Sequence, residues 1–275
     1  MAIARRTGFG TLAVMVPITI AMLFPLLWIV SISLKGDAEQ FVTPPTLIPL
    51  EPTLSNFSRL LGGTNFARYI ANSLFVAVCT VVLALGAGCP AAYAMARFRA
   101  FARPGVTSLV LLAYMFPPIL LGIPLFVIFS KVGLADSYLG LVLAHTTFAL
   151  PFVMWMMRDF FLAVPLEVEE AALVDGCGRL KLLWIIVLPI ARPGLVAAGI
   201  FTFILSWSDY IYALILLKTE SRKTISIGIA LFVDSSTIEP GLMMAASVLV
   251  TVPVLVAFMF VQRHLVQGLA VGAVK

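Results

Sequence analysis

Seven residues carry the most specific spacing in this 275-residue chain: Glu170-Ala171-Ala172, Gly176, Ile186 and Leu188-Pro189. They read E-A-A-x3-G-x9-I-x-L-P and form a polar island between two long apolar runs. The chemistry such a set can do is docking rather than catalysis. Pro165 suits the first position of a helix. Glu167, Glu169 and Glu170 follow in the first turns, where the helix dipole favours negative charge. Ala171 to Val174 continue the helix, and Gly176 and Gly178 permit a left-handed stop. A second short helix from Arg179 to Val187 is expected to end before Pro189. Small alanines let a partner's groove close on such a helix, and flanking glutamates can find cationic partners. Leu173 and Asp175 complete the docking face. The alternative is an amphipathic helix that merely lies at a membrane surface.

Two ionisable residues lie within apolar segments, where insertion costs about 2.5–3.5 kcal/mol each. Asp209 is expected roughly 12 Å inside the end of its segment at 1.5 Å per residue, and His145 at similar depth. With Trp207, Tyr210 and Tyr212, Asp209 offers the mixture of hydrogen-bonding groups and flat apolar faces that a polyhydroxylated solute needs. Equally, Asp209 and His145 can satisfy each other as glue between helices. Pro117-Pro118, Gly122 and Pro124 interrupt another apolar segment. That break either borders a solute path, which makes Pro118 a candidate, or is a static kink. Asn72 completes the candidate set. Ala84, Gly88, Ala92 and Ala96 form a small-residue stripe that permits close helix packing, with a partner subunit as one possible neighbour.

Around these residues the chain is 61% hydrophobic and 11% charged, with mean hydropathy +1.09. A soluble domain carries about 25% charge, so this is an all-α polytopic membrane protein. Six segments approach the ~20 apolar residues a spanning helix needs: roughly 11–34, 69–96, 105–130, 137–157, 194–217 and 241–262. They form one membrane domain over residues 1–275, with 158–193 as its main connector. The first segment follows Arg5-Arg6 but is too long for a signal peptide, and it is expected to be retained. Eleven Lys and Arg fall on the side of the termini and the 158–193 connector, against seven on the other. Both termini and the connector are therefore expected in the cytoplasm. Pro44, Pro45, Pro49 and Pro52 predict an ordered, extended outer cap over 35–68 rather than a domain. The loop at 218–240 could reach an external partner. Cys79, Cys89 and Cys177 show no paired framework and read as free thiols.

The island and its surroundings resemble the integral-membrane permease subunits of bacterial ATP-binding-cassette importers, whose signature is the E-A-A loop. More narrowly, the chain resembles the MalG-like branch that imports maltose, trehalose and related sugars. The resemblance runs through Pro49-Leu50-Glu51-Pro52-Thr53-Leu54-Ser55-Asn56-Phe57, Asn72-Ser73 and Ser206-Trp207-Ser208-Asp209. It continues into the tail Gln262-Arg263, Gly268-Leu269 and Gly272-Ala273-Val274-Lys275. Cys177 stands where the branch often has alanine, and relatives often extend one glycine past Lys275. The resemblance implies a type I importer permease fold: six transmembrane helices and a cytoplasmic coupling helix, in the bacterial cytoplasmic membrane. It implies a heteromeric complex with a second permease, two ATPase subunits and an extracytoplasmic sugar-binding protein. Glu170–Gly176 would dock in a cleft of the ATPase, and the tail around Gly268–Lys275 is a second candidate contact.

This chain carries no G-x-x-x-x-G-K-[ST], so it cannot cradle nucleotide phosphates by that loop. ATP and Mg²⁺ are expected on the partner ATPases, with no cofactor, metal or catalytic residue on this chain. The net charge of +5 is not a nucleic-acid signal. An ion-driven carrier would need several intramembrane acids, and only Asp209 stands clearly within a span. An intramembrane enzyme would need a partner for His145, and no serine stands out in the sequence. The expected function is a sugar-importer permease working by alternating access. The alternatives are a permease for a glycerophosphodiester or amino sugar, or the ion-driven carrier.

Overall fold

The computed structural model describes residues 9–98, 100–101, 103–234 and 239–272, and every regular element among them is helical. In chain order these are α1 (Phe9–Ser33), α2 (Ser55–Gly63), α3 (Phe66–Arg97), α4 (Pro104–Met115), α5 (Pro118–Lys131) and α6 (Tyr138–Leu162). A connector of α7 (Leu166–Val174), α8 (Arg179–Leu182) and α9 (Leu188–Ile190) follows. Then come α10 (Arg192–Trp207), α11 (Ile211–Leu216), α12 (Ile225–Asp234) and α13 (Pro240–Gly272). Helices predominate because hydrocarbon offers backbone groups no water to bond.

Within α1, α3, α6 and α13 lie the four stretches long and apolar enough to cross a membrane, and the count reaches six if each of two bent helix pairs is one span. The first pair is α4 and α5, bent by 88°. A single proline leaves α3 (Pro90), α6 (Pro151) and α13 (Pro253) helical. The Pro117-Pro118 pair does not, because Pro118 pushes Pro117 out of the helical region to ψ 118°. The second pair bends by 87° at Ala191, ahead of Arg192-Pro193. Helix α10 then stops at Trp207, so the segment expected to continue to residue 217 is broken a second time before α11.

The chain divides into two compact units. One holds residues up to Ala67 and Ile229–Thr251, the other Arg68–Gly228 and the remainder of α13. In the first unit, the Pro-rich cap is ordered by backbone capture. Asn56, fully buried, donates to the carbonyls of Ser33 and Lys35 at 3.0 and 2.8 Å. Glu39 accepts from the Leu50 amide and the Thr46 hydroxyl, which hold its carboxyl below the ordinary value. The cap also contains α2, an amphipathic helix the proline-based expectation omits. In the second unit, α3 and α6 form the core seam. They pack tightly at Gly88: a Cβ there would meet Val153 Cγ1 at 2.5 Å. Ala84 and Ala92 are buried in the same core. The small-residue stripe therefore packs within the chain, against α6. Arg5, Arg6, Arg99 and Lys275, four contributors to the charge asymmetry, lie outside the described residues.

The loop after α11 is clamped onto the starts of α3 and α6. Asp136, at φ 53°, accepts from the Lys218 and Thr219 amides at 2.9 and 3.0 Å. Glu220 pairs with Lys223 and accepts from the Tyr69 hydroxyl. Partial burial raises the Asp136 carboxyl, but hydrogen bonds from Thr219 and Lys218 and the Arg222 charge outweigh it, leaving a net lowering. Lys223 and Tyr69 lower Glu220.

Two outcomes follow from this packing. Gly88→Leu forces a side chain into the α3–α6 seam and should cost at least ~1–3 kcal/mol, read as a lower thermal unfolding midpoint in detergent. Because both clamp carboxylates have depressed values when folded, their stabilisation is full above the ordinary carboxylate range. It is lost as pH falls through those lowered values. Hydrogen exchange across 217–224 should therefore quicken below about pH 4 before exchange in α6 does.

Candidate docking element and solute path

Helix α7 begins at Leu166, so Pro165, at φ −59° and ψ 135°, stands just before the helix rather than in its first position, and two acids, Glu167 and Glu169, occupy the first turn. Its end is a Schellman motif. The Cys177 amide donates to the Ala172 carbonyl at 3.0 Å and the Gly176 amide to the Leu173 carbonyl at 3.1 Å. Gly176 sits at φ 80°, the left-handed position that motif requires. Gly178 is extended, at φ −67° and ψ 148°, so only one of the two glycines supplies the stop.

The connector's second half differs from expectation. Helical backbone continues from Arg179 through Pro189 to Ile190 instead of ending before the proline. The turn at Leu183–Val187 widens to a π-helix, with the Leu188 amide reaching the Leu183 carbonyl. That widening directly precedes Pro189, which has no N–H to give and whose ring needs room.

The structure divides the signature residues by face. Glu170, Ala171, Leu173, Asp175 and Gly176 are exposed, as is Val174 at 88%. Ala172 and Leu188 turn inward and belong to the chain's own core, with Ile186 partly buried against it. Pro189 is exposed. Ala172 and Leu188 are thus not available to a partner; they seat the connector.

Glu169 points the opposite way from its neighbour Glu170. It is 4% exposed and binds Arg97, whose Nε and Nη2 lie 2.8 and 2.7 Å from Oε1. Tyr93 donates to Oε2 at 2.7 Å. The same guanidinium donates to the carbonyls of Phe161 and Val164, both at 2.7 Å, at the end of α6. Arg179 of α8 lies over the Phe98 ring, 5.0 Å from its centroid. Sequence reading missed Arg97, Tyr93 and the separate role of Glu169. The available signal was the i,i+3 spacing of Glu169 to Ala172, which puts both on one helix face.

The solute-path candidates converge where the broken helices meet. His145 of α6 has Nδ1 2.7 Å from the Ser206 hydroxyl and Nε2 3.2 Å from Asp209 Oδ2. The second contact is at ion-pair distance but outside hydrogen-bond geometry. Asp209 also accepts from the Ala213 amide at 3.0 Å and so caps α11. The Tyr212 hydroxyl donates to the Pro118 carbonyl, tying α11 to α5, and the His145 and Tyr212 rings meet edge to face. Trp207 is buried and stacked on Phe203. Tyr210, 40% exposed, and Pro118 are the exposed members of the set. Asn72 is not with them. Both its N–H groups go to the Ser221 and Lys223 carbonyls, and it accepts from Tyr138 in the outer clamp. Ser206 is the serine partner that sequence reading did not find for His145. At 5% exposure it is shut away from any substrate a nucleophile would have to reach.

Residues 84–271 match the model of the binding-protein-dependent transport system inner membrane component. The chain belongs to that family. Over 274 residues, 99% of each chain, the permease is 36% identical to the trehalose transport system permease SugB of Mycobacterium tuberculosis. It is 32% identical to the trehalose/maltose transport system permease MalG of Thermococcus litoralis, over 93% of this chain and 92% of that one. Its fold matches a chain of a bacterial ABC transporter involved in import of the acidic polysaccharide alginate. The TM-score is 0.81 at 23% identity, over 96% and 99% of the two chains. The permease is thus an all-α inner-membrane transport component of the importer permease fold rather than an enzyme.

Removing Asp209 uncaps α11 and takes away the carboxylate beside His145 Nε2. Asp209→Ala should therefore cost ~1–3 kcal/mol, the penalty for buried polar groups left unpaired. Tyr210→Phe should leave the unfolding midpoint unchanged; a thermal melt of the two variants in detergent compares them.

Proposed function

We propose that the permease is the membrane-spanning subunit of an ATP-driven sugar importer of the trehalose or maltose type. It works with a second permease, two ATPase subunits that bind and hydrolyse ATP with Mg²⁺, and an extracytoplasmic sugar-binding protein. The observation that carries this reading is the exposed face of α7. Glu170, Ala171, Leu173 and Val174 stand clear beside the Gly176 turn, on a helix whose other face is buried in the permease. A small acidic and apolar ridge of that kind fits a cleft in a separate protein. The family's binding-protein dependence and the substrates named for the relatives support a carbohydrate solute.

In this reading the connector and both termini are cytoplasmic. ATP-driven closure of the ATPases draws the docking helices together and turns the cavity from inward- to outward-facing. Tyr210 is the residue that meets the sugar, by stacking. Asp209, His145, Tyr212 and Pro118 set the shape of the wall where α5 and α11 break, and Trp207 backs it from within. The loop after α11, held by its clamp at Lys218–Lys223, faces the binding protein.

Glu170→Lys reverses a charge on the docking ridge, and Gly176→Pro removes the left-handed turn. Each is expected to insert normally but to reduce ATPase co-purification and sugar uptake at least about tenfold, equivalent to ~1.4 kcal/mol. Wild-type uptake by either variant counts against docking through α7. A mass spectrum of the ligand carried by the co-purifying binding protein tests the solute class, and a non-carbohydrate there refutes it.

A further inference from the structure

We propose that Arg97, Glu169 and Tyr93 form a transmission joint, distinct from the docking ridge, that locks α7 to α3 and α6 so that movement of α7 moves the membrane helices with it. This rests on the reading of α7 as the helix the ATPase grips.

Adjacent glutamates divide the work. Glu170 faces out, and Glu169 is 4% exposed and fully engaged within the permease. The Arg97 and Glu169 side chains are 8% and 5% exposed. A charge pair that far from water gains little stability over a well-packed apolar pair. What it adds is direction, because a guanidinium fork fixes the angle as well as the distance of its partners. Here the fork holds three segments at once: the Glu169 carboxylate of α7, the Phe161 carbonyl in the last turn of α6, and the Val164 carbonyl just beyond it. Tyr93, one turn before Arg97 on α3, takes the second carboxylate oxygen, so Glu169 cannot swivel. Rings seal the joint: Tyr93 meets Phe161 and Phe98 edge to face.

Beyond the joint, α3 and α6 touch closely at Gly88 and Val153 and share one buried core. A push on α7 therefore meets a stiff two-helix block rather than a loose loop. Only Ala163, Val164 and Pro165 connect α6 to α7 covalently, and that peptide alone would let α7 turn about its own axis. The joint removes that freedom. Arg97 and Glu169 are accordingly positioning residues: they act through α7 and touch neither solute nor nucleotide.

The test uses the full complex in lipid vesicles, with native cysteines replaced and spin labels at Leu166→Cys on α7 and Val82→Cys on α3, both exposed positions. The label-to-label distance is measured without nucleotide and with ATP trapped, which requires no knowledge of the solute. With the joint intact, one narrow distance is expected in both states. Glu169→Gln, which keeps the shape and drops the charge, should broaden the distribution or shift it with ATP by about 5 Å, one helical pitch. Its ATPase subunits should still co-purify at wild-type level. An unchanged narrow distance overturns the joint. So does a fall in co-purification to that of Glu170→Lys, which would assign Glu169 to the docking ridge instead. If Glu169→Gln does not yield a folded complex, Arg97→Lys keeps the charge but lacks the fork. It should show the same broadening, and a wild-type distribution from it overturns the proposal. Failure of the docking reading has its own signature, undiminished ATPase co-purification with Glu170→Lys, whatever the labels report.

Discussion

The Nε and Nη2 groups of Arg97 are engaged wholly within the permease. Two donors go to backbone carbonyls at the end of α6 and two contacts go to Glu169, all between 2.7 and 2.8 Å. A helix C-terminus leaves carbonyls without intrahelical partners, and a cation there also meets the negative end of the helix dipole. Arg97 thus solves two local problems with one group, and both solutions fix where α7 can lie. Once α7 is fixed, Ala172 meets the core and Glu170 faces out. The Schellman turn at Gly176 can then aim α8 back toward Phe98. Remove the guanidinium and the buried Glu169 carboxylate keeps only its Tyr93 hydrogen bond, with its cation gone, which is far costlier than losing a surface pair.

The same economy of polar groups marks the other place where regular structure stops. Helix α10 ends at Trp207 and α11 begins at Ile211, and the break would expose amides to an apolar surrounding. Asp209 answers by accepting from Ala213, and His145 comes in from α6 to meet both Asp209 and Ser206 in the last turn of α10. Across from it, Pro117-Pro118 opens the α4–α5 corner, and Tyr212 donates to a carbonyl there. Both of these breaks are met by a side chain from another helix. Breaks built in this way are stable as corners, and they position Tyr210 at a surface instead of within a continuous helix.

Where physical signals were local, the sequence was explicit. Gly176 had to be left-handed if the helix before it was to stop, and it is. The apolar segments announced helices by length alone. Glu170, Ala171 and Leu173 are exposed. What the sequence left unsaid was contact at long range. Arg97 and Glu169 stand 72 positions apart, and neither lies in a distinctive spacing. His145 and Ser206 are separated by 61. The stripe Ala84–Ala96 declared that something packs closely but not what, and the answer was α6. Pro189 misled because a proline usually ends a helix, and here a π-turn absorbs it. Asn72 misled because an amide on a membrane helix can serve a loop as readily as a solute.

Exposure along the helices separates the parts that hold the fold from those that meet other molecules. The most apolar window of α1 has no buried residue, whereas that of α6 is 44% buried. An apolar window with no buried residue is stable only in hydrocarbon or against another subunit, so this part of α1 contributes contact surface rather than core. Helices α3, α6 and α10 carry the burial in their unit, together with the connector residues Leu182, Leu183, Val187 and Leu188. The connector is therefore not an appendage on a membrane bundle. It is the end of the bundle's own core, folded back and capped by a charge pair. A stimulus applied to its outer ridge acts directly on the packing that holds the spanning helices together.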